Sequence, residues 1–325
     1  MPIPPILSAR EFDEQARRGG DALTGTDGLL AVALDEHASG LALARQPACV
    51  VAGVGRAADD EARIPDWVDV CVEDDAALAT LAAAVAASPE AAAVAVRLIR
   101  HNATSSVANG LFAESLAYST LQHGATFERW LRGREPAAPP ASTDPQVIVA
   151  RRAETLGLTL NRPARRNAYC GAMRDELHAA LELVLLDGSI ERVELRGDGA
   201  AFCSGGDLDE FGVARDAAAA HALRMTRSVA HVMHELRDRV YPLLHGACIG
   251  AGIELTAFAS HLRAREDAFF QLPEVGFGLV PGAGGTVSVT RRIGRLRTNW
   301  LALTGERIDA ATALRWGLVD EIRKG

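Results

Sequence analysis

An α/β layered fold is predicted for the larger part of this 325-residue chain, and three observations predict it. From residue 145 onward, short apolar runs that fit strands alternate with longer stretches that fit helices, the pattern of a layered core. Glycine-rich turns fall where strand patterns end, as in AFCSGGDLDEF (201–211) and HGACIGAGIEL (245–255). The proline-rich stretch PAAPPASTDP (136–145) separates this region from a different, more helical one before it. The chain therefore divides into an N-terminal extension, 1–140, and a core, 145–325.

Composition sets the outer limits. A hydrophobic content of 48% with 23% charged residues is that of an ordinary globular protein. No apolar run reaches the ~20 residues of a membrane span. The first residues, MPIPPILSAREFDEQARR, have no basic region followed by an apolar one, so no signal peptide is expected. Cys49, Cys71, Cys170, Cys203 and Cys248 are odd in number and form no CxxC pair, which points to reduced thiols, a cytoplasmic setting and no zinc. Residues 1–140 hold 11 basic and 19 acidic groups, whereas 141–325 hold 23 of each. The second part gathers arginines at 162, 165, 166, 291, 292, 295 and 297, but scattered surface arginines explain that more simply than a phosphate grip. With no basic face or aromatic platform, nucleic-acid binding is not expected.

The extension reads in order as follows. Residues 1–28 are polar and turn-rich, with one short helix over 11–18. LLAVAL (29–34) and ACVVAGVG (48–55) fit buried strands on either side of a small helical turn at 40–45, and WVDVCV (67–72) fits a third. DDAALATLAAAVAA (74–87) is a helix with acids in its first turn, and Pro89 starts another. Helices over 91–101 and 107–123 follow, then a short one ending in FERWLRGRE (127–135).

Within the core, VIVARRAETLGLTLN (147–161) fits a strand pair joined around Glu154. A helix over 174–187 and a strand over 190–197 come next, then a tight turn at 201–211 and one long helix over 216–237. DAFFQLPEVGFGLVPGAGGT (267–286) is a strand and an irregular loop, helices cover 286–303 and 309–316, and GLVDEIR (317–323) closes with a strand.

The chemistry centres on HGACIGAGIELTAFAS (245–260), a glycine-rich turn that opens an apolar helix. Glycines at 246, 250 and 252 let backbone N–H groups approach a ligand, and a helix starting there adds its positive dipole end. Such a turn suits an oxyanion, and Glu254 stands one helical turn away as an acid or base. A salt-bridged glutamate at a plain helix start explains the stretch equally well when it is taken alone. His231 and His234 share a helix face but lack a third metal ligand. Cys203 has no His or Asp partner placed to activate it, and Asp207 suits a cap for the turn that follows it.

NRPARRNAY (161–169), AFCSGGDLDEF (201–211), HGACIGAGIEL (245–255) and QLPEVGFGLVPGAGGT (271–286) occur in this order, followed by LTGERIDAATALRWGLVDEI (303–322). Together they resemble the enoyl-CoA hydratase/isomerase (crotonase) superfamily, over essentially all of 145–323. The resemblance implies the crotonase-like (ClpP/crotonase) α/β spiral of ββα units, with a helical segment of the trimerisation type. It implies an acyl-CoA thioester as substrate, its carbonyl held by the N–H groups of Gly206 and Ala251, where many relatives have glycine at the second position. Arg165, Arg166, Ser204 and Asp207 would border the bound molecule. Glu254 would activate water and Glu274 would deliver a proton, the pair that hydration of a 2-enoyl thioester needs. Relatives that only shift a double bond often keep just the second carboxylate, so the pair favours a hydratase over an isomerase. Another acyl-CoA reaction on the same fold, or a non-catalytic acyl-CoA-binding subunit, is the alternative. Coenzyme A enters as part of the substrate, with no metal or redox cofactor, and a homo-trimer or hexamer is the expected assembly. His245 stands where relatives usually have asparagine.

One departure concerns the ends. Relatives continue past GLVDEI with helices that cover the site, and residues 68–136 resemble that tail although they lie in front. The expectation is a permuted arrangement in which tail-like helices (74–135) reach back to the core, with a strand remnant at 29–72. Leu111, Leu116, Tyr118, Phe127, Trp130 and Leu131 supply the apolar faces that such packing would bury. An unrelated appended helical domain is the alternative.

Overall fold

In the computed structural model of the protein, which describes residues 3–18, 27–35, 38–43, 46–55, 63–135, 144–214 and 216–324, the apolar runs near the N-terminus pair with one another. β1 (Ile6–Leu7), β2 (Leu29–Ala33), β3 (Val50–Val54) and β4 (Val70–Val72) form a four-stranded parallel sheet in that order. Both of its faces are covered, which is why its strands read as unbroken apolar runs. On one side, Phe12 of α1 (Ala9–Arg18) packs on Trp67 with ring centroids 4.7 Å apart. On the other lie Leu78, Leu81 and Val85 of α2 (Asp75–Ala87) and Ile99 of α3 (Pro89–Thr104). The two-residue β1 was not foreseen, because a strand that short carries no pattern, and the predicted turn at 40–45 is a 3-10 turn at Ala38–Gly40.

Asp74 caps α2 by accepting from the Ala77 N–H at 2.8 Å, and Pro89 opens α3 after a bend of 109°. Among the described residues no single helix is long and apolar enough to cross a membrane. α4 (Val107–Leu121) and α5 (Ala125–Arg132) complete the extension. The proline-rich boundary lies outside the described residues at 136–143.

The core contains β5 (Val147–Arg152), β6 (Thr155–Leu160), α6 (Gly171–Leu186), β7 (Arg192–Gly197), α7 (Ala217–Thr226), α8 (Val229–Glu235), β8 (Val240–Leu244) and β9 (Ala247–Ile249). It continues with α9 (Ala251–Glu254), β10 (Arg263–Arg265), β11 (Phe269–Gln271), α10 (Gly285–Thr304), β12 (Ile308–Asp309), α11 (Ala310–Trp316) and β13 (Glu321–Arg323). The main sheet runs β13-β10-β8-β7-β6-β5 and is parallel except for the β5–β6 hairpin. A smaller sheet, β12-β11-β9, carries the strand that feeds the glycine-rich turn.

Two helices differ from expectation. The long helix over 216–237 is two helices, because Ser228 accepts from the His231 N–H at 3.2 Å and caps a fresh start there. The helix opened by the 245–255 turn is only α9 followed by a 3-10 turn at Thr256–Phe258, so Glu254 sits at the end of a four-residue helix.

Extension and core share one apolar interior. Val275, Leu279, Val280, Ala302 and Leu303 of the core belong to the same cluster as the packing faces of α2 and α3. Buried polar links cross the same seam. Asn299 Nδ2 donates to the Asp69 carbonyl at 2.8 Å, Asn102 Nδ2 donates to Thr286 Oγ1 at 2.8 Å, and Arg295 donates to the Val68 and Pro65 carbonyls. Of the apolar residues expected to be covered, Leu111 and Phe127 are buried and Tyr118, Trp130 and Leu131 are partly so, while Leu116 remains exposed at 43%. The extension therefore lies on the core, and α4 reaches the turn that opens α10.

Candidate active site

Gly250 ends β9 with φ 48°, a left-handed conformation that favours glycine, and the chain then turns into α9. Its N–H donates to the Gln271 carbonyl at 3.0 Å, which ties the turn to β11. A methyl group on Gly250 would run into Glu274 Oε1 and stand 3.7 Å from Glu254 Oε1. The two predicted carboxylates, 20 positions apart in the sequence, thus close on one point. Both line a cavity of about 240 Å³, together with Gly206 and Ala251. Among the described residues neither the Gly206 nor the Ala251 N–H donates to a backbone carbonyl, so both donors are available to a guest.

The two carboxylates are treated differently. Glu254, 2% exposed, accepts from the Ala283 N–H at 2.8 Å and the Gly285 N–H at 2.9 Å through Oε2. Burial pushes its carboxyl above the ordinary range, and these two N–H groups pull it back. Glu274 leaves Oε2 buried with no hydrogen-bond partner. Burial and the neighbouring Glu254 charge both push its carboxyl well up. One site therefore raises both carboxyls, and it lets Glu254 ionise before Glu274.

A third carboxylate shares the cavity and was not among the predicted site residues. Glu114 comes from α4 in the extension, is 2% exposed, and accepts from the Gly284 N–H at 2.6 Å and the Thr286 N–H at 3.0 Å. The signal was present: Glu114 is the only charged residue in VANGLFAESLAYSTL. An acid facing the interior of such a helix asks for a partner.

The predicted substrate-binding residues divide. Asp207 lines the cavity, but its carboxylate is held by Arg162 at 2.8 Å and Arg165 at 3.0 Å, and it accepts from the Asp209 N–H at 3.2 Å. That last bond is the cap foreseen for it. Arg165 also pairs with Asp209, so its guanidinium is engaged within the protein. Arg165, Arg166 and Ser204 do not line the cavity; Arg166 is exposed, and its carbonyl accepts from the Ser204 N–H at 3.0 Å. Arg162 and the buried Asn167, which donates to the Asp198 and Ala201 carbonyls at 2.8 Å each, shape this corner instead. His245 Nε2 donates to the Gly199 carbonyl at 3.0 Å, which gives the unusual histidine a part in holding the neighbouring turn. Cys203 is buried, and burial pushes its thiol up to about 12. His231 pairs with Glu235 at 3.2 Å, and His234 lies edge-on to Phe258.

A parallel α/β core with two unlike carboxylates and two N–H donors over one cavity suits acid–base chemistry. Comparison narrows the class. The family model "Enoyl-CoA hydratase/isomerase" matches residues 151–324. The chain is 36% identical over 178 residues to the 2,3-dehydroadipyl-CoA hydratase of Escherichia coli K12, covering 54% of this chain and 69% of that one. It is 34% identical over 171 residues to the mitochondrial enoyl-CoA hydratase of Pongo abelii, covering 52% of this chain and 58% of that one. A solved enoyl-CoA hydratase from Mycobacterium smegmatis superposes with a TM-score of 0.51 at 30% identity, covering 56% of this chain and 71% of the other. The chain belongs to the enoyl-CoA hydratase/isomerase family and has the crotonase fold. The family model begins at residue 151 and so leaves the extension out.

Proposed function

We propose that the protein is an enoyl-CoA hydratase, adding water across the double bond of a 2-enoyl-CoA thioester. The observation that carries this reading is the convergence of Glu254 and Glu274 over Gly250 in a cavity with two available N–H donors. Glu254, favoured as the carboxylate, takes a proton from water as its oxygen bonds to Cβ. The double-bond electrons move to the thioester, and the enolate oxygen is held by the N–H groups of Gly206 and Ala251. Glu274, favoured as the acid, gives its proton to Cα. Proton transfer between the carboxyls or through solvent then restores the starting state, and no atom is left over.

The relatives named above are described as hydratases of acyl-CoA thioesters, which supports the same substrate class here. Coenzyme A is then part of the substrate and no separate cofactor is called for. A cytoplasmic setting suits the five free thiols, and assembly as a trimer or hexamer rests on the family resemblance. The test is the absorbance of the conjugated thioester of crotonyl-CoA, followed beside Glu254→Gln and Glu274→Gln. Loss of signal in the parent protein that both substitutions abolish supports hydration. Full survival of a double-bond shift in Glu254→Gln would replace the reading with an isomerase.

A further inference from the structure

Four successive amides at the opening of α10 are divided alternately between two carboxylates. Ala283 and Gly285 donate to Glu254, while Gly284 and Thr286 donate to Glu114. The Thr286 hydroxyl also donates to Glu114 Oε2 and accepts from Asn102 Nδ2 at 2.8 Å, so α3, α4 and α10 meet at this point. Gly284 makes the alternation possible with φ 105°, which turns neighbouring N–H groups to opposite sides. The core supplies one carboxylate of the pair and the N-terminal extension the other.

We propose that Glu114 is a positioning residue for the reaction. By holding the 283–286 turn it fixes how Glu254 presents Oε1 to the cavity, and as a second carboxylate on the same run of amides it links its own ionisation to that of Glu254. The proposal rests on the hydratase reading for its kinetic consequence, although the linkage stands on geometry alone. A helix N-terminus accommodates one negative charge far better than two in a buried place. Burial, with the Glu254 charge second, pushes the Glu114 carboxyl up to about 8. The groups facing Glu114 from the surrounding elements are Glu254 of α9, Glu274 of the 3-10 turn at Glu274–Phe277, Tyr118 of its own helix and Arg224 of α7. Arg224 is the cation among them, and its guanidinium is hydrogen-bonded to Ser115 and Ser119 on α4. With Glu254 ionised as the base, Glu114 holds a proton, and each carboxyl titrates in the presence of the other.

The first test needs no turnover. In ligand-free protein labelled with [13C]glutamate at the side-chain carboxyl, the Glu254 and Glu114 resonances are assigned by their loss in Glu254→Gln and Glu114→Gln. Both are expected to titrate in two steps in the parent protein. In Glu254→Gln, Glu114 is expected to titrate at lower pH, freed of the Glu254 charge that comes second in raising it. Single-step titration of both in the parent protein, or a Glu114 resonance unmoved by Glu254→Gln, overturns the linkage. If Glu254→Gln fails to fold, the Glu114 resonance of the parent protein, assigned through Glu114→Gln, still decides: it must show an inflection where Glu254 titrates, and a plain single-step curve overturns the linkage.

The second test is kinetic. An amide at 114 accepts from only one of the two amides, so the turn is expected to shift and lower kcat about 10- to 100-fold. KM is expected to change less than about threefold, because no substrate contact is removed. An unchanged kcat, or a KM that rises as far as kcat falls, overturns the positioning role. Failure of the parent protein to hydrate crotonyl-CoA would count against the hydratase reading, and the carboxyl titration would still judge Glu114.

Discussion

Glu254 and Glu274 show how the same residue type is given two different settings by the fold. Two backbone N–H groups offset part of the burial of the first, while the second has a buried oxygen without a partner. Activity is therefore expected to rise with pH as Glu254 ionises and to fall again as Glu274 loses its proton, giving a bell in kcat/KM against pH. A profile that only rises would remove Glu274 as the acid. Glu274→Gln keeps the shape but has no proton to give, and kcat is expected to fall about 10²- to 10⁴-fold. Gly250→Ala is expected to cost about 1–3 kcal/mol in urea unfolding, because alanine is strained at φ 48° and its methyl meets Glu274. A variant as stable as the parent would show that the turn is not as tight as described.

At the scale of elements, the site depends on short pieces held by caps. α7 and α8 are separate because Ser228 starts the second, and α7 carries Arg224 into the cavity wall. Ser228→Ala is expected to cost about 1 kcal/mol of stability in denaturant titration, the usual loss when a helix cap is removed. No change would mean that tertiary packing alone breaks the helix. The break was illegible in the sequence because one serine within an alternating apolar and polar run reads equally as interior or cap. The hairpin of β5 and β6 was legible in full, since its register joins Arg152 to Thr155 around the Glu154 foreseen as the turn. The four-residue α9 was not, because Ile253, Leu255, Ala257 and Phe258 are apolar for burial and not for a helix face.

Across the whole molecule, the extension and the core are expected to unfold together. One apolar cluster spans both, and buried bonds from Asn299, Arg295 and Asn102 cross between them. Calorimetry should show a single transition, and two resolved transitions would mean that the seam is weaker than its packing implies. The buried carboxyls also set a direction for pH. Glu114, Glu254 and Glu274 have folded-state carboxyls raised above the ordinary value of 4.5, so the folded state binds more protons than the unfolded one in that window. Their contribution to stability is present at pH below that value and is lost as pH rises through the raised values. Glu114→Gln should therefore flatten the fall in melting temperature between pH 5 and 8, taken here as roughly the range over which the raised groups titrate. An equally steep fall in the variant would place the proton uptake elsewhere.

By itself the sequence determined the layered α/β core, the glycine turns and the two carboxylates at 254 and 274. The core, the turns and Glu254 depend on local patterns of apolar periodicity and turn residues, whereas Glu274 came from the family resemblance of QLPEVGFGLVPGAGGT. Only the tertiary structure decided that Glu114 joins them, that Arg165 is spent on Asp207 and Asp209, and that Arg162 and Asn167 shape the corner assigned to Arg166 and Ser204. Each of these is a pairing between side chains or amides brought together by the fold. For Glu114 and Thr286 the separation is 172 positions. Local pattern shows that a charge in an apolar helix needs a partner, but it does not name the partner. Burial makes the partner necessary, and the packing of α4 against the start of α10 chose it.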